Sequence, residues 1–410
     1  MNVRIMRLLR WGVANETLTA LLNGGLKAVA PLRRIVTRKR QSIAILSLGA
    51  AGHSYSAARA ARALGLHVVL VGRTLRAHEM IFADEFVEHD PLEETQAVID
   101  ALRGRGVQAV TISIKHVLLP AQVAVSEALG LRSCGARVAH LSNDKLAWRR
   151  ALEEAGIEQP RFAETREAFD AVPCVQKVRM GTGSKGIALL QADEDARDDV
   201  TPLHDRSVGQ ERYFEEFLVG PQFDVEGVSR DGVHRTLVIV QEYYVEHEGQ
   251  FPPRAFVFNP PLPEGMSEAA EAAARATLDA SGVVNGAWHV EMRYHDGAFK
   301  PVDFANRMGY ERLVTLASGV DFARTHVRAF LPEATAEPEG RPLAVAQLFA
   351  FDEPDADAMR RIAEAHPDAV FDAVLEPFDM GTVRYRAMIC LKACDHDALR
   401  RVAGRLLDLD

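Results

Sequence analysis

Residues 287–307, AWHVEMRYHDGAFKPVDFANR, read as two strands joined by a His-Asp-Gly turn. Alternate residues of a strand face opposite sides of a sheet, so Glu291 on the first strand and Asp303 on the second can share one face. Two carboxylates on adjacent strands suit magnesium, a hard cation that prefers oxygen ligands and shares them with phosphates. Arg307, just beyond, carries a permanent planar cation matched to phosphate oxygens. In isolation the same stretch also reads as a solvated hairpin with scattered charges. The segments upstream decide between the two.

Upstream, Ser142-Asn143-Asp144-Lys145 precedes LAWRRALEEAGIEQPRF, where Ser142 or Asn143 is expected to cap a helix ending at Gly156. Lys145 then falls in the first helical turn, which is unfavourable toward the helix dipole unless an anion lies close by. CVQKV is a strand bearing Lys177. Arg179-Met180-Gly181-Thr182-Gly183-Ser184-Lys185-Gly186 follows as a flexible loop before the strand IALLQ. Glycines let backbone N–H groups close around an anion. The loop is not a Walker A motif, because no G-x-x-x-x-G-K-[ST] precedes a helix. As a free-standing turn it is also compatible with an ordinary hairpin. Residues 213–227, YFEEFLVGPQFDVEG, read as a short linker and a strand. VHRTLVIVQEYYVEH is another strand, residues 251–263 are proline-rich and irregular, and an alanine-rich helix over about 267–280 leads into the hairpin.

The chain has 410 residues, too many for one ordinary core, and about three domains are expected. Its composition, 48% hydrophobic and 26% charged, is that of a globular protein, and the net charge of −9 argues against a general nucleic-acid partner. The cysteines Cys134, Cys174, Cys390 and Cys394 are scattered without a C-x-x-C pair, which points to reduced thiols and a cytoplasmic location. No apolar run reaches the roughly 18 residues needed for a membrane span. Residues 1–40 stand apart as a basic arm: Arg4, Arg7, Arg10, Lys27, Arg33, Arg34, Arg38, Lys39 and Arg40 face one acid, Glu16. Its apolar residues fall on helical faces. That leaves contact with an anionic membrane surface or a protein partner, and docking on the chain's own acidic surface, equally open.

From Ile43 the pattern becomes α/β. IAILSLGA, HVVLVGR and VQAVTISI are strands alternating with helices near 54–64, 91–103 and 120–129, which implies a parallel sheet. The Gly49-Ala-Ala-Gly52 turn lacks both the G-x-G-x-x-G spacing and an acid at the end of the second strand, so it disfavours a dinucleotide. His53, His78 and His116 follow strands or sit in loops. After the proline-containing EATAEPEGRP, residues 341–410 read as a small α+β cap with strands LAVAQLFAF, AVFDAVLE and VRYRAMICL. Packing, dimerisation into a homodimer and shaping of a substrate site all remain open as its role.

A lysine before a helix, a lysine-bearing strand with a Gly/Ser loop, an E-E-F-L-x-G-x hinge, and Glu and Asp twelve residues apart followed by Arg form an ordered set. Over residues 43 to about 331 this order resembles the ATP-grasp superfamily, and within it the carboxylate–amine ligases such as L-amino-acid ligases. The resemblance implies a Rossmann-like pre-grasp domain (41–140), a small lid domain (141–210), a large domain with a metal site (211–335) and the C-terminal α+β cap (341–410). It implies Lys145 and Lys177 on ATP phosphates and the loop Gly183, Ser184, Lys185 and Gly186 closing over them. It implies the hinge Glu215, Glu216 and Leu218 at adenine, with Glu215 and Gln222 toward adenine and ribose.

Magnesium, or manganese in its place, would bind Glu291 and Asp303, and Arg307 would steady the transferring phosphoryl group. The implied activity is phosphorylation of a carboxylate, an amino acid foremost, followed by attack of an amine and release of ADP and phosphate. Arg254 and Arg307 are candidate carboxylate holders. The family motif Glu-x-Asn-x-Arg reads here as Asp303, Ala305 and Arg307. The usual asparagine ligand is therefore replaced, and Asn306 lies one place along, usable only if the strand bulges or ends there. A regulatory nucleotide binder without turnover, and a ligase with a non-amine acceptor, are the alternative expectations.

Overall fold

The computed structural model describes residues 41–48, 54–73, 82–169, 173–181, 186–191, 211–247, 251–333, 337–380 and 383–409. The basic arm 1–40, the Gly49–Gly52 turn, His53, His78 and the loop residues Gly183, Ser184 and Lys185 lie outside them.

Strands β1 (Ser42–Leu46), β2 (His67–Val71), β3 (Glu85–Val87) and β4 (Val107–Thr111) form a parallel sheet of order β3-β2-β1-β4. The β1 and β2 runs are buried along their whole length, as strands covered on both faces must be. Helices α1 (Tyr55–Ala63), α2 (Thr95–Leu102), α3 (Leu119–Ala128) and α4 (Ala136–Leu141) belong to this unit. Helix α5 (Lys145–Glu154) follows. Its cap is Asp144 rather than Ser142 or Asn143: the Asp144 carboxylate accepts from Ala147 N at 3.0 Å. Ser142 Oγ instead accepts from Asn306 N, and Asn143 Nδ2 donates to His116 O and Ala139 O, so both are spent elsewhere.

Strands β5 (Phe162–Ala163), β6 (Cys174–Val178), β7 (Ala188–Leu190) and β8 (Arg212–Glu216) make a small antiparallel sheet of order β5-β8-β6-β7. The large sheet draws on β9 (Gln222–Arg230), β10 (Val233–Tyr244), β11 (Pro253–Phe258), β12 (Gly286–His295), β13 (Ala298–Ala305), β14 (Ala344–Ala350), β15 (Val370–Val374) and β18 (Ala387–Ala393). Its order is β13-β12-β9-β10-β11-β14-β18-β15, antiparallel throughout. The β12–β13 hairpin turns on Asp296 and Gly297, both at positive φ (51° and 81°). This is the two-residue geometry that an Asp-Gly pair favours.

The C-terminal α+β segment continues the large sheet. Strand β14 pairs with β11, so the large sheet runs on into β18 and β15 while helices α9 (Glu353–Ala365) and α10 (His396–Ala403) bury a second, smaller core against it. The stretch VRYRAMICL is two strands, because the chain changes partner at Arg386: β17 (Val383–Tyr385) pairs with β16 (Phe378–Met380), and only β18 joins the large sheet. Cys390 in β18 is a buried free thiol pushed up to about 12 by burial.

Helix α6 (Met266–Ser281) lies with α5 on one face of the β12–β13 end, where Trp148 stacks on Phe304 and its indole N–H donates to Ser281 Oγ at 3.0 Å. Helices α7 (Glu311–Ser318) and α8 (Phe322–Phe330) connect the large sheet to the parallel unit. At that junction His326, 1% exposed, accepts from Ala287 N through Nδ1 at 2.9 Å and donates from Nε2 to Ile112 O at 2.9 Å. These bonds require the neutral ring, and burial lowers its pKa to about 4.

Removing this ring orphans a buried amide and a carbonyl. His326→Ala should therefore lower the free energy of unfolding by about 2–4 kcal/mol at pH 8 in a denaturant titration. The folded pKa, about 4, lies below the ordinary 6.5, so the unfolded chain takes up the proton first. The ring's contribution is full above the ordinary value and is lost as pH falls through that window, by about 3 kcal/mol. The deficit of His326→Ala should shrink accordingly. A deficit constant from pH 8 to pH 4 would show that the ring is not held neutral.

Candidate active site

Register sets the site. On the large sheet Glu291 pairs with Asp303 on one side and Asp224 on the other, and His289 pairs with Ala305 and Glu226. Gln222 stands opposite both Arg293 and Glu242. Directly opposed residues share a face, so Asp224, Glu226, Glu242, Glu291 and Asp303 crowd one surface together with His289, Gln222 and Arg293. The opposite surface carries Trp288, Val290 and Phe304 into the core.

The register of β12 on β13 shifts after Glu291, passing over Val302 as a bulge. Strand β13 is an edge strand, and its free carbonyls are capped by cations. Arg149 donates from Nη1 to Pro301 O at 2.7 Å and from Nη2 to Val302 O at 3.2 Å, and Lys177 Nζ donates to Val302 O at 2.8 Å. Both cations also clamp Glu215, Arg149 Nε at 2.5 Å and Lys177 Nζ at 2.8 Å. Arg149 is fully buried and stacks on Trp148, its Cζ 4.9 Å from the ring centre.

Burial pushes the Glu215 carboxyl up, but Arg149 and Lys177 outweigh it and hold it at about 2. Lys177 is lowered by burial against the pull of Glu215. Lys145, first residue of α5, ion-pairs with Asp303, which supplies the anion its place at the helix N-terminus requires. Burial opposes ionisation of Asp303, and Lys145 and Lys177 overcome it, leaving its pKa well below the usual range.

The remaining acids lack such partners. Burial raises Asp224 to about 7, with Arg307 opposing. Burial and then Asp224 raise Glu226 and Glu242, each to about 8, and burial, Glu242 and Asp303 raise Glu291 to about 8. Glu242 is fully hydrogen-bonded, accepting from Gln222 Nε2 at 2.8 Å, Tyr244 Oη at 3.0 Å and Tyr310 Oη at 3.1 Å. Gln222 also reaches Glu291 at 3.5 Å. Burial, and then the Arg307 charge, lower the pKa values of His116 and His289. Asn306, immediately after β13 ends, donates from Nδ2 to Ala287 O at 2.8 Å and keeps a buried Oδ1 that has no partner among the described residues.

The residues present fit a cation and a polyphosphate. A row of mutually raised carboxylates is relieved by positive charge, and Lys145, Lys177 and Arg307 stand at its β13 end. Gly186, at φ +74°, packs on Val178 of β6 where a Cβ would lie 2.5 Å from a methyl carbon, which anchors the end of the glycine loop. Leu218, just after β8, is buried, and Glu216 accepts weakly from Arg161 N at 3.3 Å. Arg254 lies on β11, two strands from β9, and is not brought to the Glu291–Asp303 pair.

Sequence reasoning passes over Asp224, Glu226, Glu242 and Arg149. The signal for the first two is a run of polar residues at alternate positions, Gln222, Asp224 and Glu226, in a strand otherwise apolar.

The fold is similar to that of several solved ligase and synthetase structures. An L-amino acid ligase from Bacillus licheniformis superposes with a TM-score of 0.67 at 18% identity, over 90% of this chain and 98% of that one. A phosphoribosylglycinamide synthetase from Anaerococcus prevotii gives 0.64 at 13%, over 90% and 98%. An N5-carboxyaminoimidazole synthase from Aspergillus clavatus, in complex with ADP and 5-aminoimidazole ribonucleotide, gives 0.66 at 17%, over 90% and 98%. No protein-family model matches the sequence, and no curated protein matches it. The chain has the ATP-grasp fold that its motif order resembles.

The buried Arg149–Glu215–Lys177 cluster gives a stability prediction. Arg149→Met uncaps the β13 carbonyls and removes half of the countercharge at Glu215, which should cost about 3–5 kcal/mol in chemical denaturation. Adding Glu215→Leu should recover part of it, because the stranded charge goes too. A single-variant loss under about 1 kcal/mol would contradict a desolvated pair.

Proposed function

We propose that this protein is an ATP-dependent ligase that activates a carboxylate, an amino acid foremost, and joins it to an amine with release of ADP and phosphate. The observation that carries this reading is the meeting of two lysines and two carboxylates at strand β13: Lys145 on Asp303, Lys177 on the Val302 carbonyl, and Glu291 directly opposite Asp303. Tripolyphosphate needs cations from the protein, and the carboxylates suit magnesium, or manganese, held between protein and phosphate. The similarity to an L-amino acid ligase and to two synthetases supports the reaction class.

In this reading Lys145 and Lys177 hold the α- and β-phosphates. The loop at Gly183, Ser184, Lys185 and Gly186 covers them, and the backbone of the hinge at Glu215, Glu216 and Leu218 meets adenine with Gln222 near ribose. Glu291 and Asp303 would hold the metal, with Asn306 Oδ1 as a further donor, and the metal would supply charge neutralisation to the phosphates. Arg307 positions the γ-phosphoryl group against the substrate carboxylate. The phosphoryl bond to ADP breaks as the bond to the carboxylate oxygen forms. The amine nitrogen then bonds to the acyl carbon, the acyl–oxygen bond breaks with its electron pair leaving on phosphate, and the nitrogen gives up one proton, which balances on the released phosphate. Positioning and charge neutralisation are what such a transfer asks of a protein. Glu215, clamped on both oxygens, acts by fixing Lys177. Free thiols at Cys134, Cys174, Cys390 and Cys394 suit the cytoplasm.

A second reading, a nucleotide-binding regulator without turnover, is favoured by Ala305, which stands opposite His289 where the resemblance implies a metal ligand. Incubation with Mg-ATP and pooled amino acids separates the two. The ligase reading expects ADP and a product lighter by one water than the sum of its two parents. Intact ATP despite tight binding would favour the regulator, and absence of binding would end both. Lys177→Ala should raise the KM for ATP about tenfold or more, and Glu291→Ala should abolish turnover while leaving the circular dichroism spectrum unchanged. Full activity in Glu291→Ala would remove it from the metal site.

A further inference from the structure

We propose that Asp224, Glu226 and His289 form a second cation site, beside the Glu291–Asp303 pair and distinct from it, that takes a divalent transition metal such as manganese or zinc. Glu226 and His289 are directly opposed across β9 and β12, and Asp224 lies one pleat along β9 on the same face. One donor atom from each residue, a carboxylate oxygen twice and an imidazole nitrogen once, lies within 4.8 Å of the other two.

Geometry alone leaves open a simple cluster of acids. The hydrogen-bond inventory goes further. Asp224 is 1% exposed and Glu226 is fully buried, yet among the described residues Asp224 Oδ1 and Glu226 Oε2 have no hydrogen-bond partner. A buried carboxylate oxygen without a partner is costly, and in a native protein it calls for an ion, a water or a proton. The remaining donors are spent at the other oxygens: Tyr310 N donates to Glu226 Oε1 at 3.2 Å, and the nearest approach of His289 Nδ1 to Asp224 Oδ2 is 3.4 Å. Gly309 stands over Glu226, and a Cβ there would fall 2.1 Å from Oε1, so the loop after β13 leaves the carboxylate its room only because residue 309 is glycine.

The donor set selects the ion. Magnesium and calcium favour all-oxygen shells, whereas one imidazole with two carboxylates suits manganese or zinc. The ion would lie between the Glu226–His289 pair and Asp224, the residue directly opposite Glu291, offsetting the charge that crowds this face. The inference does not rest on the ligase reading, since the ligands are all side chains of the chain itself.

The test uses the full chain without nucleotide. Calorimetric titration of the metal-stripped protein with Mn2+ should show a saturable site that tenfold excess Mg2+ does not empty, and Zn2+ should displace the Mn2+. Pulsed electron paramagnetic resonance of the bound Mn2+ should show nitrogen coupling from one imidazole in the unaltered protein, and His289→Gln should abolish it. Glu226→Gln and Asp224→Asn should each weaken Mn2+ binding at least tenfold, whereas Glu291→Gln should retain it. No Mn2+ binding, binding without nitrogen coupling, or equal loss in Glu291→Gln would overturn the proposal. The nitrogen signal comes from the wild-type chain, so it decides even if a variant folds poorly.

Discussion

Cross-strand register places Asp303, Glu291 and Asp224 in one row and puts Glu226 and Glu242 beside them, all on one largely buried face. Such a concentration of negative charge is tolerable only if each carboxylate finds a cation, a hydrogen-bond donor or a proton. The rest of the site can be derived from how that requirement is met. Lys145 takes Asp303, two tyrosines and a glutamine take Glu242, and Arg307 stands near Asp224 and Glu226. Among the described residues, Glu291 is left with a long contact from Gln222, and one oxygen each of Asp224 and Glu226 has no partner. A face built this way is prepared for positive charge from outside.

The same constraint joins the small sheet to the large one. Edge strand β13 would expose free carbonyls, and its bulge at Val302 adds another. Arg149 from α5 and Lys177 from β6 cover them and share Glu215 of β8 between them. A residue of the small sheet is thereby tied to the bulge that adjoins the Glu291–Asp303 pair. Motion of the small sheet would be felt at the carboxylate row through Lys177.

Much of this architecture is legible in the sequence, and the reason differs by residue. An Asp-Gly pair fixes a two-residue turn and, with it, the register of the hairpin as far as Met292 and Pro301, but that register alone would set Glu291 opposite Val302; the bulge at Val302, which no residue announces, brings Asp303 there. Lys145 betrays itself by sitting where a helix dipole repels it. Asp224 and Glu226 are hidden because alternation tells which residues share a face but not which strand lies alongside. Strand β9 inserts next to β12 although about sixty residues separate them, and nothing local announces it. Arg149 reads as one charge among several on an amphipathic helix, and only tertiary packing reveals it as buried. The C-terminal strands carry correct local patterns, yet their continuity with the large sheet depends on β11 offering its free edge to β14.

The central claim is that the carboxylate face and the lysines at β13 form one receptor, completed by a metal–nucleotide complex. The most direct measurement is the unfolding temperature of the full chain with Mg2+ alone, ATP alone and both together. A ligand that binds only the folded state raises stability by about 2.7 kcal/mol at a hundred times its Kd, enough to move the midpoint by several degrees. The account predicts a shift for Mg-ATP well beyond the sum of the two separate shifts, and its loss in Lys177→Ala. Equal shifts with and without Mg2+, or none with either, would contradict it.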